Sequence, residues 1–110
     1  MSGNFLTSSR LRFIKLTSTF SHSEKFQITS QMQRAAYSIP SNISEGCGRD
    51  SDKDFNRFLQ ISLGSAHELE YFVLLAKDLN FIEESIYQDL DVRINLIKQK
   101  LFSLSQKLKA

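Results

Sequence analysis

Residues 84–108 read Glu84-Ser-Ile-Tyr-Gln-Asp-Leu-Asp-Val-Arg-Ile-Asn-Leu-Ile-Lys-Gln-Lys-Leu-Phe-Ser-Leu-Ser-Gln-Lys-Leu108. Tyr87, Leu90, Ile94, Ile97, Leu101, Leu104 and Leu108 recur there at steps of three and four. A strand would alternate every second residue, so this spacing predicts a helix with a bundle or coiled-coil seam. Glu83, Glu84, Asp89 and Asp91 crowd its first half, and Lys98, Lys100, Lys107 and Lys109 its second. That order follows the helix dipole. Val92, Leu96 and Phe102 fall off the seam and leave apolar surface for another subunit.

The preceding stretch, 52–79, repeats the pattern. Phe55, Phe58/Leu59, Ser62, Ala66, Leu69, Val73, Ala76 and Leu79 form one stripe, widened by Leu63, Phe72 and Leu75. Ser51 stands ready to cap its start, with Asp52 and Asp54 at the positive end. Asn80 suits a left-handed residue just past the last turn, with Phe81 as the hydrophobic contact beyond it.

Further back, Ile28, Met32, Ala35/Ala36, Ile39 and Ile43 place a third helix over about 28–47. Pro40 removes one amide donor, yet the stripe crosses it without changing phase, which favours a helix that kinks and continues. Gly46 and Gly48 supply the stop. His22-Ser-Glu-Lys25 reads as a polar break. Before it, Leu6, Phe13, Leu16 and Phe20 mark a first helix over about 5–20, weakened by its many Ser and Thr. Nothing reads as a strand. Four helices joined by short connectors predict an all-α, antiparallel up-down-up-down four-helix bundle, with residues 1–110 as one domain.

Composition narrows the function. In 110 residues, 41% are hydrophobic and 24% charged, with one Pro and four Gly, so the chain is neither disordered nor collagenous. Cys47 alone makes no internal disulfide, and no long apolar run or charged leader is present, which points to a cytoplasmic protein off the membrane. The net charge of +2 conceals segregation: +4 over residues 1–49, −7 over 50–91 and +5 over 92–110. Such a pattern serves either self-pairing between segments or copies, or an anionic ligand.

Residues that carry chemistry lack their partners. Asp50-Ser-Asp52-Lys-Asp54 begins like a calcium loop, but Phe55 and Ile61 stand where Gly and Glu are needed. His67-Glu68 is half a zinc motif, with Tyr71 in place of the second His. His22 has no ligand set, and Cys47 no base. The sequence therefore predicts no enzyme, no cofactor and no metal. Binding remains. Arg10, Arg12 and Lys15 on the first helix and the C-terminal lysines, Lys98 and Lys100 among them, form candidate phosphate-contacting patches, with a solvated helix exterior as the alternative.

The stretch Thr29-Ser-Gln-Met-Gln-Arg-Ala-Ala-Tyr-Ser-Ile-Pro-Ser-Asn-Ile-Ser-Glu-Gly-Cys-Gly-Arg49, with Phe55-Asn-Arg-Phe-Leu-Gln-Ile-Ser-Leu-Gly-Ser-Ala-His-Glu-Leu-Glu70, carries a resemblance. It resembles the bacterial four-helix-bundle family whose founding members are encoded by intervening sequences in 23S ribosomal RNA genes. The match runs from about Phe13 to the C-terminus. The start departs from the family pattern, with no Trp and with Ser21 where a proline often stands. The resemblance implies an antiparallel bundle assembling into a homo-oligomeric ring, typically a pentamer. It extends to the accessory variability protein of diversity-generating retroelements, a pentameric bundle that binds nucleic acid and a reverse transcriptase. By position Arg34, Ser38, Asn42, Glu45 and Arg49 match the motif's polar residues, and their spacing puts them on one helix face, with Arg34 and Arg49 as further candidate nucleic-acid contacts and bracing of the bundle as the alternative. Two functions follow as expectations: an oligomeric bundle that binds RNA or DNA through basic faces, or a scaffold that recruits a partner protein without touching nucleic acid.

Overall fold

A computed structural model describes residues 22–109. They form three helices, α1 His22–Cys47, α2 Asp52–Asp78 and α3 Glu84–Lys109, with no strand among the described residues. The helix expected over 5–20 lies outside the described residues, as do Arg10, Arg12 and Lys15.

The α1 helix starts six residues before the expected boundary, because the polar run at 22–25 is its first turn and not a connector. Glu24 there sits at the positive helix end. The Thr29 hydroxyl donates back to the Lys25 carbonyl at 2.8 Å, and the Lys25 ammonium lies 5.8 Å from the centre of the Phe81 ring. Polarity alone does not stop a helix. Nor does Pro40, which α1 passes through. Side chains serve the backbone beside it: the Ser62 hydroxyl donates to the Ile39 carbonyl at 2.9 Å, and the Asn42 amide to the Ser38 carbonyl at 2.8 Å.

Gly46 does different work from the expected stop. It is buried inside the last turn of α1, and a Cβ there would lie 2.7 Å from Phe55 Cδ1 and 2.9 Å from Phe58 Cβ. Only a bare backbone lets the turn fold this tightly. Gly48 stands just past the end of α1, where the stop is expected, and no described glycine has a positive φ. The next helix meets its expected caps. Ser51 is extended and its hydroxyl accepts from the Asp54 amide at 3.1 Å. Asn80 is left-handed at φ 62°, the Asn80 amide donates to the Lys77 carbonyl at 2.9 Å, and the Phe81 amide to the Ala76 carbonyl at 2.8 Å.

Contacts climb one helix as they descend the next: Gly46 meets Phe55, Ser38 meets Ser65, and Arg34 meets Glu68. Neighbours are therefore antiparallel. The central α2 packs on both α1 and α3, which do not pack on each other. The core joins Ile39 of α1, Leu59 and Ala66 of α2, and Leu101 of α3.

One seam position shifts. Leu104 is 37% exposed, while Ser105, at 1%, takes the inward place. A straight helix drifts about 20° per heptad against a strict seven-residue repeat, so the inward direction passes from position 104 to 105. A buried serine is tolerated because Gln60 donates to its hydroxyl at 2.8 Å, while that hydroxyl donates to Asn56.

Gly46→Ala forces Phe55 and Phe58 to move and is expected to destabilise the fold by about 1–3 kcal/mol. Gly64→Ala, where nothing lies within 4 Å of a new Cβ, is expected to stabilise by about 0.5–1 kcal/mol through helix propensity. Denaturant melts of the two variants check the contrast.

Candidate nucleic-acid interface

Most described cations are spent on neighbouring acids. Arg34 pairs with Glu68 across the α1–α2 contact, and its Nε donates to Gln31 at 2.9 Å. Ser38 and Ser65 share a hydrogen bond of 2.8 Å, and the Asn42 amide donates to the Ser38 hydroxyl at 3.0 Å. Arg49 lies 3.8 Å from Glu45 and 3.9 Å from Asp54. Its guanidinium and that of Arg57 lie 4.7 and 4.4 Å from the centre of the Phe58 ring. Arg34 and Ser38 thus tie α1 to α2, Asn42 bonds back to Ser38, and Arg49 stands past the end of α1 in the turn, between Glu45 and Asp54.

On α3, Lys98 and Lys100 part company. Lys98 is held by Glu70 at 2.8 Å with its side chain 18% exposed, and Glu70 also lies 3.9 Å from His67 Nδ1. Residues two apart on a helix do not share a face. Lys100 points elsewhere, together with Lys107, seven residues on. Among the described residues no carboxylate lies within 4 Å of either ammonium. Gln99, Ser103 and Leu104 join them along a shallow groove. Seven residues span about 10.5 Å of helix, and one step earlier stands Arg93, bound to Asp89 at 3.0 Å. Lys107 was legible in the sequence from its heptad spacing to Lys100, a signal that adjacency to Lys98 obscured.

Folding also sorts the charge by height. Antiparallel neighbours bring Asp78, Glu83, Glu84, Asp89 and Asp91 to one end, where α2 finishes and α3 begins. The other end gathers Arg49, Lys53, Arg57, Lys107 and Lys109 around the α1–α2 turn and the close of α3, tempered by Asp50, Asp52 and Asp54. The first end also holds Lys25, Lys77 and Arg93, and the second Glu45, so neither end carries one sign alone.

The apolar surplus is present as expected: Val92, Leu96 and Phe102 are exposed on α3, and Phe26 and Tyr37 on α1. His22, His67 and Cys47 are exposed, and no group of three or more metal-ligating side chains occurs among the described residues. No helix among them is long and apolar enough to cross a membrane.

Tyr87 sits at the acidic end, where burial first, and then Asp91 and Glu84, push its phenol above the usual value of 10.0. Lys77 caps its ring at 4.7 Å. A raised folded-state value contributes stability that is present below the unfolded value and is lost as pH climbs through the folded one. The phenolate of Tyr87 is therefore expected to form at higher pH than that of an ordinary tyrosine, with stability falling as pH climbs through that range. Tyr87→Phe should reduce that alkaline loss.

The chain matches the family described as 23S rRNA-intervening sequence protein over residues 7–103. Its fold is similar to the crystal structure of a protein of unknown function from the S23 ribosomal protein family of Bacteroides thetaiotaomicron VPI-5482. The TM-score is 0.69 at 24% identity, over 92% of this chain and 89% of that one. No curated protein matches. With the family's pattern running through nearly its whole length, the chain belongs to the 23S rRNA-intervening sequence proteins.

Proposed function

We propose that this protein is a non-catalytic, cytoplasmic four-helix bundle that self-associates and binds RNA along the lysine edge of α3. The observation that carries the reading is the pair Lys100 and Lys107, with no carboxylate within 4 Å among the described residues, set beside Gln99 and Ser103. Phosphate contact asks for mobile cations on an accessible surface and for little else. The family's association with 23S ribosomal RNA makes RNA the first polyanion to test. Exposed Phe26, Tyr37, Val92, Leu96 and Phe102 favour self-association, with the ring of five that the resemblance implies, and they also support a second reading as a scaffold for a partner protein.

Titration against structured RNA and duplex DNA at two salt concentrations tests the proposal. Binding should weaken steeply with salt, and Lys100→Glu with Lys107→Glu should cost about 10-fold or more in affinity at low salt. Arg34→Gln, which removes a cation already paired, should change affinity much less. No binding at low salt sinks the RNA reading and leaves the scaffold, and a monomeric mass by light scattering sinks self-association.

A further inference from the structure

Many polar side chains of this molecule find partners within it. Ser62 donates to the Ile39 carbonyl, Ser105 bonds Asn56 and Gln60, Gln31 accepts from Arg34, and Gln88 donates to Glu84. Gln99 and Ser103 differ. Both are exposed, and among the described residues no side-chain hydrogen bond involves either. They line the same shallow groove as Lys100, Leu104 and Lys107.

The order of these residues along α3 gives them distinct places. Ser103 follows Lys100 by three residues and precedes Lys107 by four, about 4.5 and 6 Å along the axis. Residues four apart share a face, so Gln99 and Ser103 make a row on one flank of the lysines, with Leu104 on the other. The two lysines stand about 10.5 Å apart along the helix, further than adjacent phosphates of one strand. A strand that meets both therefore carries at least one sugar past Ser103.

We infer that Ser103, with Gln99 beside it, reads the 2′-hydroxyl of that intervening ribose, so that this edge selects RNA over DNA by its sugar. A serine hydroxyl both donates and accepts, as does the side-chain amide of glutamine, and the ribose hydroxyl does the same. Either orientation of the ribose hydroxyl is matched. The lysines cannot make this choice, because an ammonium meets the phosphates of RNA and DNA alike. Leu104, 37% exposed on the far flank, adds apolar contact and no hydrogen bond that would name a base. Since Ser103 is exposed, water replaces the missing partner when the ligand is DNA. The discrimination is then a few-fold, well below that of a buried polar site.

This inference rests on the reading of the α3 edge as the RNA site, and its test separates the two. The probes are one RNA hairpin and the same hairpin with 2′-fluoro in place of every 2′-hydroxyl. The substitution keeps the A-form duplex and its phosphates, adds little bulk and removes the hydroxyl. The native protein should bind the unmodified hairpin about 3–10-fold more tightly, the worth of one net hydrogen bond. That ratio should hold at two salt concentrations while both affinities fall, since an uncharged hydrogen bond releases no counterion. Ser103→Ala should remove the preference by weakening binding to the unmodified hairpin alone, and Ser103→Thr, which keeps the hydroxyl, should retain it. Alanine is the better helix former at this exposed position, so the variant folds. Equal affinities of the native protein for the two hairpins, or a preference that survives Ser103→Ala with Gln99→Ala, would overturn the sugar reading. Loss of binding in Lys100→Glu/Lys107→Glu would in that case leave the α3 site standing. Unchanged RNA affinity in Lys100→Glu/Lys107→Glu, or no binding at low salt, sinks the underlying reading and the sugar reading with it.

Discussion

Everything in this molecule depends on how closely α1 seats against α2. At Gly46 the backbone of one helix meets the rings of Phe55 and Phe58 with no room for a methyl group. Further along, Ala35 against the buried face of α2, the Ser38–Ser65 hydrogen bond and the Ser62 bond to the Ile39 carbonyl continue the same close contact. Small side chains permit the approach, and hydroxyls prevent it from leaving buried polar groups unpaired.

That geometry decides which charges are free. The acids of α2 face both neighbours, so Glu68 takes Arg34 and Glu70 takes Lys98. Surface pairs of this kind contribute little to stability, about 0–1 kcal/mol each. Their larger effect is to remove cations from the pool that can meet a ligand. Lys100 and Lys107 escape because the helix turns them away from α2. A chain whose net charge is only +2 thereby carries a coherent cationic edge.

Helix existence was legible because apolar steps of three and four have no other reading, and the caps at Ser51 and Asn80 were legible because each is a local event. What stayed hidden depends on other helices. The buried place of Ser105 needs Asn56 and Gln60 opposite it, the function of Gly46 needs Phe55 and Phe58, and the pairing of Lys98 needs Glu70. The helical turn at 22–25 was misread for a related reason: polar composition resembles a connector, while the placement of Glu24 and Lys25 suits a first turn. For the candidate interface, the sequence supplied the basic C-terminal segment, and only the fold separated lysines held by acids from lysines left free.

The central claim is that RNA lies along Lys100 and Lys107, and lysine acetylation read by mass spectrometry tests it most directly. Bound RNA should shield Lys100 and Lys107 while the reactivity of Lys77, at the acidic end beside Glu84, stays as it is in the free protein. RNA-bound protein in which Lys100 and Lys107 react as fast as before would contradict the account.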